Sequence, residues 1–249
     1  MLEVNIKNIF LKLNKSEKLL LKDIEFFIEQ NSVYTIIGKN GSGKSTIARL
    51  LISLLDKRFY TINARVQFEN KNVLLFNEHE LLEYRKHKVR CLFQDPVNSF
   101  DPLKKFKYYF DHFAPSNSNV EELFDYFRLD KPGKIFDKYP YEVSGGMAQR
   151  IAFILTLLSD AQILILDEPT SNIDAAVSNL LLIKLKEYIS GHNKSVLLIT
   201  QDLPFAEKLS TKTALLNNGS LTKFLSPHEF FEQTEHELVR LYNDIKGDK

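Results

Sequence analysis

The stretch GKNGSGKST, residues 38–46, has the composition of a phosphate-binding loop. It fits the pattern G-x-x-x-x-G-K-[ST], and it lies between an apolar run typical of a strand and a segment with the apolar spacing of a helix. Its glycines let backbone N–H groups point at phosphate oxygens, and the following helix adds its dipole. We expect Lys44 to neutralise phosphate charge and Ser45 to ligate Mg²⁺. The residues predicted to bind a nucleoside triphosphate are Gly38, Asn40, Gly41, Ser42, Gly43, Lys44, Ser45 and Thr46.

Two adjacent carboxylates follow a second apolar run, ILILDEP. Asp167 and Glu168 would lie at the carboxyl end of a buried strand, where α/β sheets collect their ligands. Buried carboxylates are costly unless an ion or a substrate uses them. Asp167 suits a contact to Mg²⁺, and Glu168 suits a base that orients an attacking water. Taken alone, the same letters also fit a solvated strand end.

The stretch VSGGMAQR, residues 143–150, has the residues of a helix start that is open to an anion. Ser144 can cap the helix, while Gly145 and Gly146 leave the first N–H groups accessible. In isolation, an ordinary Ser-Gly helix start explains these residues as well.

The composition is that of a folded protein without a strong charge bias. The 249 residues include 33 basic and 32 acidic side chains, so the formal net charge of +1 gives no support for nucleic-acid binding. Cys91 is the only cysteine, which excludes an internal disulfide or a multi-cysteine metal site built within this chain. The sequence has no run typical of a signal peptide or a membrane span. We expect a cytosolic protein, which another chain must anchor if it works at a membrane.

Strand-like and helical segments alternate along the chain, which favours an α/β fold. SVYTIIG, AQILILDEP and KSVLLITQD predict strands that a parallel sheet buries on both faces, KSTIARLLISLL predicts a helix, and TALLNNGSLTKFL predicts a late hairpin. The middle of the chain, about 95–159, is broken by Pro96, Pro102, Pro115 and Pro132 and is mostly helical in pattern. We therefore expect an α/β core that is interrupted by a helical subdomain.

These stretches occur in an order that resembles the nucleotide-binding subunits of ABC transporters, over almost the whole chain. The matching elements are GKNGSGKST, LFQDP, VSGGMAQR, ILILDEP and SNID. The resemblance implies one ABC ATPase domain over 1–249, with a P-loop NTPase (RecA-like) core and an amino-terminal antiparallel β subdomain. Residues 1–94 and 160–249 would form the core and the β subdomain, and 95–159 the inserted helical signature subdomain.

The same resemblance assigns roles at a shared site in which two subunits clamp two ATP molecules head to tail. Ser144 and Gly146, with Gly145 between them, would reach the γ-phosphate held by the opposite subunit's Lys44. Gln94 would sense Mg²⁺ and the attacking water, and Asp174 would connect the two sites.

A finer resemblance lies in FQDPVNSFDP and in Met147 after the glycines. These residues are similar to the oligopeptide/dipeptide/nickel importer branch, in a short form that ends at Lys249 and is expected to carry no metal cluster there. The implied partners are a second ABC ATPase subunit, identical or homologous, transmembrane permease subunits and, indirectly, an extracytoplasmic solute-binding protein. The implied location is the cytoplasmic side of the membrane. The stretch KKFKYYFDHF either lines a groove for a membrane subunit or forms an amphipathic helix with a buried Phe face.

Two positions depart from the family pattern. Gln201 stands where the family has a His, and its amide can donate a hydrogen bond but cannot exchange a proton. We expect Gln201 to contact the γ-phosphate at a slowed site; the alternative is a plain strand end. Leu13 stands where the family usually stacks an aromatic ring on adenine, with Phe10 nearby.

The favoured function is therefore the ATP-hydrolysing subunit of an importer for a peptide, nickel or a metal–chelator solute, as one half of a heterodimer in which the partner carries its own His. A slow homodimer, a regulatory ATP clamp with almost no turnover and a soluble non-transport ABC ATPase are the alternatives. Glu168 argues against a clamp, and the small net charge argues against nucleic acid.

Overall fold

Two β-sheets form the frame that carries the phosphate loop. The computed structural model describes residues 1–14, 16–115, 119–234 and 236–247. One sheet has four antiparallel strands in the order β2-β1-β4-β5, and the other has six strands in the order β10-β9-β3-β8-β7-β6. The fold is thus α/β with an amino-terminal antiparallel sheet, as predicted.

The antiparallel sheet begins the chain. Its strands are β1 (Leu2–Leu13), β2 (Ser16–Ile28), β4 (Tyr60–Phe68) and β5 (Lys71–Asn72). Val4 and Ile6 on β1 are buried, whereas Glu3 and Lys7 are exposed. This alternation is the period of a sheet with one face on a core and the other in water.

The larger sheet contains the strands that lead to the predicted site. They are β3 (Val33–Ile37), β6 (Val89–Leu92), β7 (Ile163–Asp167), β8 (Ser195–Thr200), β9 (Lys212–Asn217) and β10 (Ser220–Leu221). All pairs are parallel except β9 with β10, which form the predicted late hairpin. Every residue of β3, β7 and β8 is buried, which explains why these stretches are continuously apolar.

The register of this sheet brings three chain segments together. Ile37, the last residue of β3, pairs with Thr200, the last residue of β8. Asp167, the last residue of β7, pairs with Ile199. Because parallel strands end at the same edge, the phosphate loop, Glu168 and Gln201 all emerge side by side there.

The helices connect and cover these strands. They are α1 (Lys44–Leu51), α2 (Glu78–Glu83), α3 (Pro96–Ser99), α4 (Phe106–Phe113), α5 (Val120–Tyr126), α6 (Pro132–Phe136), α7 (Gly145–Leu158), α8 (Ala175–Ser190), α9 (Leu203–Leu209), α10 (Pro227–Gln233) and α11 (Glu237–Gly247). The segment 95–159 holds α3 to α7 and no strand among its described residues. Within the described ranges, none of the helices has the length and apolarity to cross a bilayer. In α4, Phe106, Tyr109 and Phe110 are buried, which is the amphipathic arrangement weighed for KKFKYYFDHF.

Helix α1 is shorter than its apolar spacing predicts. It ends at Leu51, and Ser53 then adopts a left-handed conformation with φ of 54°. The N–H of Ser53 donates to Leu50 O at 2.9 Å, and the N–H of Leu54 donates to Arg49 O at 2.8 Å. This is the bond pattern of a Schellman cap. A serine rather than a glycine provides the cap, so the usual sequence signal is missing.

Two apolar cores lie on opposite faces of the six-stranded sheet. One packs the sheet against helices of the middle and later chain and contains Phe106, Phe124, Phe127 and Phe153. The other lies between the sheet, α1 and the antiparallel sheet. Cys91 packs against this second core, as expected of a structural cysteine.

Candidate active site

The phosphate loop runs from the end of β3 to the start of α1, and two of its glycines are required by close contacts. A Cβ on Gly38 would lie 2.7 Å from Leu216 O. Gly43 has φ of 104°, and a Cβ there would lie 2.7 Å from Leu21 Cδ2. Such distances are shorter than carbon contacts allow, and the positive φ disfavours any side chain. The glycine spacing thus lets the backbone follow a path that larger residues would block.

Lys44 is buried at the beginning of α1, and three oxygens surround its ammonium. Nζ donates to Gly38 O at 2.7 Å and to Lys39 O at 3.1 Å. It also lies 3.2 Å from Glu168 Oε1, and both side chains are almost completely buried. A buried charge requires such compensation. The two charged residues predicted from separate motifs are therefore in direct contact.

Asp167 ends β7 with its carboxylate buried beside the phosphate loop. Burial raises the pKa of Asp167, a hydrogen bond from Ser45 opposes that rise, and the charge of Glu168 adds to it. Asp167 Oδ1 is buried without a hydrogen-bond partner among the described residues. A buried carboxylate oxygen without a donor, next to a serine hydroxyl, provides the hard oxygen ligands that Mg²⁺ prefers. Ser45 and Asp167 therefore fit the predicted metal.

Glu168 follows Asp167 in a strained conformation that aims its side chain into the site. Its φ is 49°, an uncommon left-handed value for a residue with a long side chain. Its N–H donates to Ile199 O at 2.8 Å, which fixes the backbone against β8. Glu168 Oε2 accepts from Thr200 Oγ1 at 3.1 Å and from the Gln201 N–H at 3.2 Å. The carboxylate is thus held on one oxygen by the end of β8 and the residue that follows it, and it faces Lys44 of α1 with the other.

A cavity of about 190 Å³ lies over the phosphate loop. Its lining residues are Leu20, Asn40, Gly41, Gly43, Lys44, Ser45, Thr46, Gln94 and Glu168. Gln94 also lines a second cavity of about 570 Å³, together with Ser45 and Asp167. Gln94 thus borders both the cavity over the phosphate loop and the cavity that Asp167 lines.

Gln201 lies directly after β8, and its backbone rather than its side chain makes the contact with Glu168. The residue is exposed. The next residue, Asp202, accepts from Thr170 Oγ1 at 2.8 Å and caps α9 by accepting from the Phe205 N–H at 3.0 Å. The turn at residues 200–202 is therefore anchored, while the Gln201 amide is free to reach solvent or a ligand.

The predicted signature residues begin α7. Ser144 caps this helix, because its Oγ accepts from the Met147 N–H at 3.2 Å. Ser144 and Gly145 are exposed, and a Cβ on Gly146 would lie 3.0 Å from Asn172 O. Gln149 is fully buried and donates to Pro169 O at 3.0 Å, which ties α7 to the turn after Glu168. Sequence reasoning did not single out Gln149.

The signature residues and Asp174 begin two helices of this chain, α7 and α8. Residues 144–146 do not line the described cavity over Lys44. Asp174 is at the start of α8, where its Oδ1 accepts from the Val177 N–H at 2.8 Å. Within one chain, Ser144 and Asp174 therefore act as helix caps.

Leu20 of β2 is an apolar residue beside the phosphate loop, whereas Leu13 is the residue predicted to contact adenine. Leu20 lines the cavity, whereas Leu13 is 49% exposed near the far end of β1 and lies outside that lining. The hairpin of β1 and β2 has a register shift between Ile9 and Phe10. Sequence spacing along β1 does not show which residue of β2 returns to the loop. Contact of Leu13 with adenine stays a prediction.

Known proteins are similar to this chain over most of its length. A family model described as ABC transporter matches residues 21–171, more than half of the chain. The dipeptide transport ATP-binding protein DppD of Caldanaerobacter subterraneus subsp. tengcongensis is 30% identical over 235 residues, which cover 89% of this chain and 71% of that protein. The metal-staphylopine import system ATP-binding protein CntD of Staphylococcus aureus is 25% identical over 242 residues, which cover 94% and 89% respectively.

A solved structure shares the fold. It is the dimeric structure of a post-hydrolysis state of an ATP-binding cassette bound to ADP and Pi, with a TM-score of 0.77 and 21% identity. The match covers 91% of this chain and 99% of the other.

Proposed function

The chain belongs to the ABC transporter family and is an ATPase of that family, and we propose that it energises solute import through separate membrane subunits. The observation that carries the proposal is the convergence of Lys44, Asp167 and Glu168 at the carboxyl ends of β3 and β7. Cation, metal ligand and base come from two motifs that are more than 120 residues apart. Lys44 and Glu168 line one cavity, and Asp167 lines a second cavity that shares Ser45 and Gln94 with the first.

Each residue then has a role in ATP hydrolysis. The phosphate loop and Lys44 hold the phosphates, and Glu168 orients and deprotonates the attacking water. Ser45 and Asp167, with Gln94 beside them, would hold Mg²⁺, which supplies charge neutralisation when bound. Gln201 provides an amide donor for the γ-phosphate. Unlike the family's His, this amide cannot exchange a proton, and losing a preorganised donor or its orientation typically costs about 10²- to 10³-fold in rate, so we expect a slowed site.

A second subunit would complete this site. Ser144 and Gly145 are exposed and do not line the described cavity over the phosphate loop of their own chain, which favours a contact with the nucleotide of a partner. Asp174 would connect the two sites. We propose that the partner is a homologous subunit with its own His, which pairs a slow site with a fast one. A slow homodimer is the alternative.

The import role is supported by the relatives. One is named for dipeptide transport and another for metal-staphylopine import. A peptide, nickel or a metal–chelator complex is the proposed class of solute. Permease subunits would hold the chain at the cytoplasmic face of the membrane, and an extracytoplasmic protein would deliver the solute. The net charge of +1 disfavours a soluble ABC ATPase that acts on nucleic acid, and Glu168 disfavours a pure clamp.

An uptake assay in the source cells tests this role. Cells whose chain carries Lys44→Ala should lose the accumulation of a labelled peptide, of labelled nickel or of a labelled metal–chelator complex, and wild-type chain supplied from a plasmid should restore it. The matched control is Lys39→Ala, which removes an exposed lysine of the same loop. Equal uptake of all three solute classes by the Lys44→Ala and wild-type cells would contradict an import role.

A further inference from the structure

Thr200 has a hydroxyl group whose two contacts fix its orientation. It is the last residue of β8 and is fully buried. Its Oγ1 accepts from the Asp202 N–H at 2.9 Å. The same oxygen lies 3.1 Å from Glu168 Oε2. A backbone N–H can only donate, and a hydroxyl has one proton, so the proton of Thr200 points at the carboxylate.

The surroundings leave this hydroxyl little freedom. Asp202 is held by Thr170 Oγ1 and by the Phe205 N–H. Thr200 itself is paired in the sheet with Ile37, which directly precedes the phosphate loop. The hydroxyl is therefore placed by β3, β8 and the start of α9 together. A donor fixed in this way has no orientational freedom to lose when Glu168 deprotonates the attacking water.

The two carboxylate oxygens of Glu168 have contacts of different kinds: an ion pair at Oε1 and hydrogen bonds at Oε2. Oε1 faces the ammonium of Lys44, which phosphate groups would attract away. Oε2 accepts from Thr200 and from the backbone of Gln201, neither of which the nucleotide needs. If the Lys44 ammonium moves to bind phosphate, Thr200 and the Gln201 backbone still hold Oε2, and Oε1 still faces the cavity.

We propose that Thr200 is a positioning residue for Glu168, which holds Oε2 so that Oε1 faces the attacking water. This inference rests on the proposed role of Glu168 as the base. It also explains how the chain tolerates Gln201, because the side chain of residue 201 takes no part in orienting the carboxylate. The backbone N–H of that residue and the Thr200 hydroxyl do so instead.

The test compares variants of two buried threonines by steady-state ATP hydrolysis. Thr200→Val keeps the shape and removes the hydroxyl, and Thr200→Ser keeps the hydroxyl. Thr213→Val is the matched control, because Thr213 is also fully buried in the same sheet and its Oγ1 has no hydrogen-bond partner among the described residues. A general base contributes about 10²- to 10⁴-fold, so misorienting it in Thr200→Val should lower kcat by roughly tenfold or more.

The expected pattern separates positioning from packing. Thr200→Val should keep KM for ATP and Kd for ADP within about twofold of wild type, since a positioning residue affects the transition state and not ground-state binding. Thr200→Ser should recover most of kcat, and Thr213→Val should behave as wild type. Thr200→Ala also removes the hydroxyl, with a smaller side chain than valine. It should lower kcat as much as Thr200→Val does.

Two results would overturn the inference. One is a kcat in Thr200→Val equal to that of Thr213→Val, and the other is an equal loss in Thr200→Ser and Thr200→Val. Glu168→Gln is assayed in parallel. If that variant turns over as wild type does, the base assignment fails whatever Thr200 does, so the two failures are distinguishable.

Discussion

Lys44 Nζ lies 3.2 Å from Glu168 Oε1, so the phosphate-binding cation and the proposed base form a buried ion pair. The remaining contacts of the ammonium are to Gly38 O and Lys39 O. An incoming phosphate must therefore compete with a carboxylate for Lys44. Phosphate binding and the release of Glu168 from its ion pair are therefore coupled through the Lys44 side chain.

Glu168→Gln should consequently bind ADP more tightly than the wild type. A neutral amide holds the ammonium less strongly, and a gain of about 1 kcal/mol corresponds to roughly fivefold in Kd. Isothermal titration measures this Kd. Glu237→Gln is the control, because it removes the exposed partner of Lys39, 2.6 Å away, and exposed pairs contribute little. Equal or weaker ADP binding by Glu168→Gln would show that the pair does not compete with phosphate.

Gln201→His should raise the rate of ATP hydrolysis, up to about 10²-fold, because the imidazole adds a donor that can also carry charge. Gln201→Ala should fall below wild type, although its backbone N–H still reaches Glu168. Phosphate release at saturating ATP distinguishes the three chains. If Gln201→Ala and wild type have the same kcat, Gln201 is only the polar end of β8.

Asp167→Asn should stabilise the nucleotide-free chain at neutral pH. Burial raises the pKa of Asp167 above its ordinary value of 3.8, so the folded chain keeps this proton to higher pH than the unfolded chain. The free energy of unfolding therefore falls as pH rises from that value through the folded pKa, and the loss is complete at neutral pH. Asparagine does not ionise and avoids this loss.

Urea unfolding at pH 4.5 and pH 7 measures the free energies of unfolding of Asp167→Asn and wild type. The difference between them should be larger at pH 7. Asp130→Asn replaces an exposed carboxylate and should show no such change. A stability difference that shrinks toward neutral pH would contradict the account. With ATP present, Asp167→Asn should also lose the extra stability that added Mg²⁺ gives the wild type, since a proposed ligand is gone.

The sequence was sufficient to predict the sheet edge at which the site forms. Continuous apolar runs before Gly38, Glu168 and Gln201 predicted buried parallel strands, and parallel strands deliver their following residues to one edge. The helical insertion and the late hairpin were predicted from proline placement and from the Asn-Gly turn. These features depend on local pattern, which the sequence displays directly.

Features that depend on strand register, on an unusual backbone conformation or on a contact between distant residues were not predictable from the sequence. Leu20 reaches the phosphate loop because of how β2 pairs with β1, and spacing along β1 does not reveal that pairing. The end of α1 depends on a left-handed serine where glycine is the usual signal. Thr200 is one of several β-branched residues in its strand, and only the contact with Glu168 distinguishes it.

The most direct test of the central claim is Mg²⁺-dependent ATP hydrolysis by the purified chain, measured against protein concentration with Glu168→Gln as the blank. The account predicts ATP binding by both chains and turnover only in the wild type. A heterodimer with a faster partner predicts that turnover stays low at every concentration until the partner is added, while a slow homodimer predicts a rise steeper than linear. Equal turnover by the wild type and Glu168→Gln would contradict the claim that Glu168 is the catalytic base.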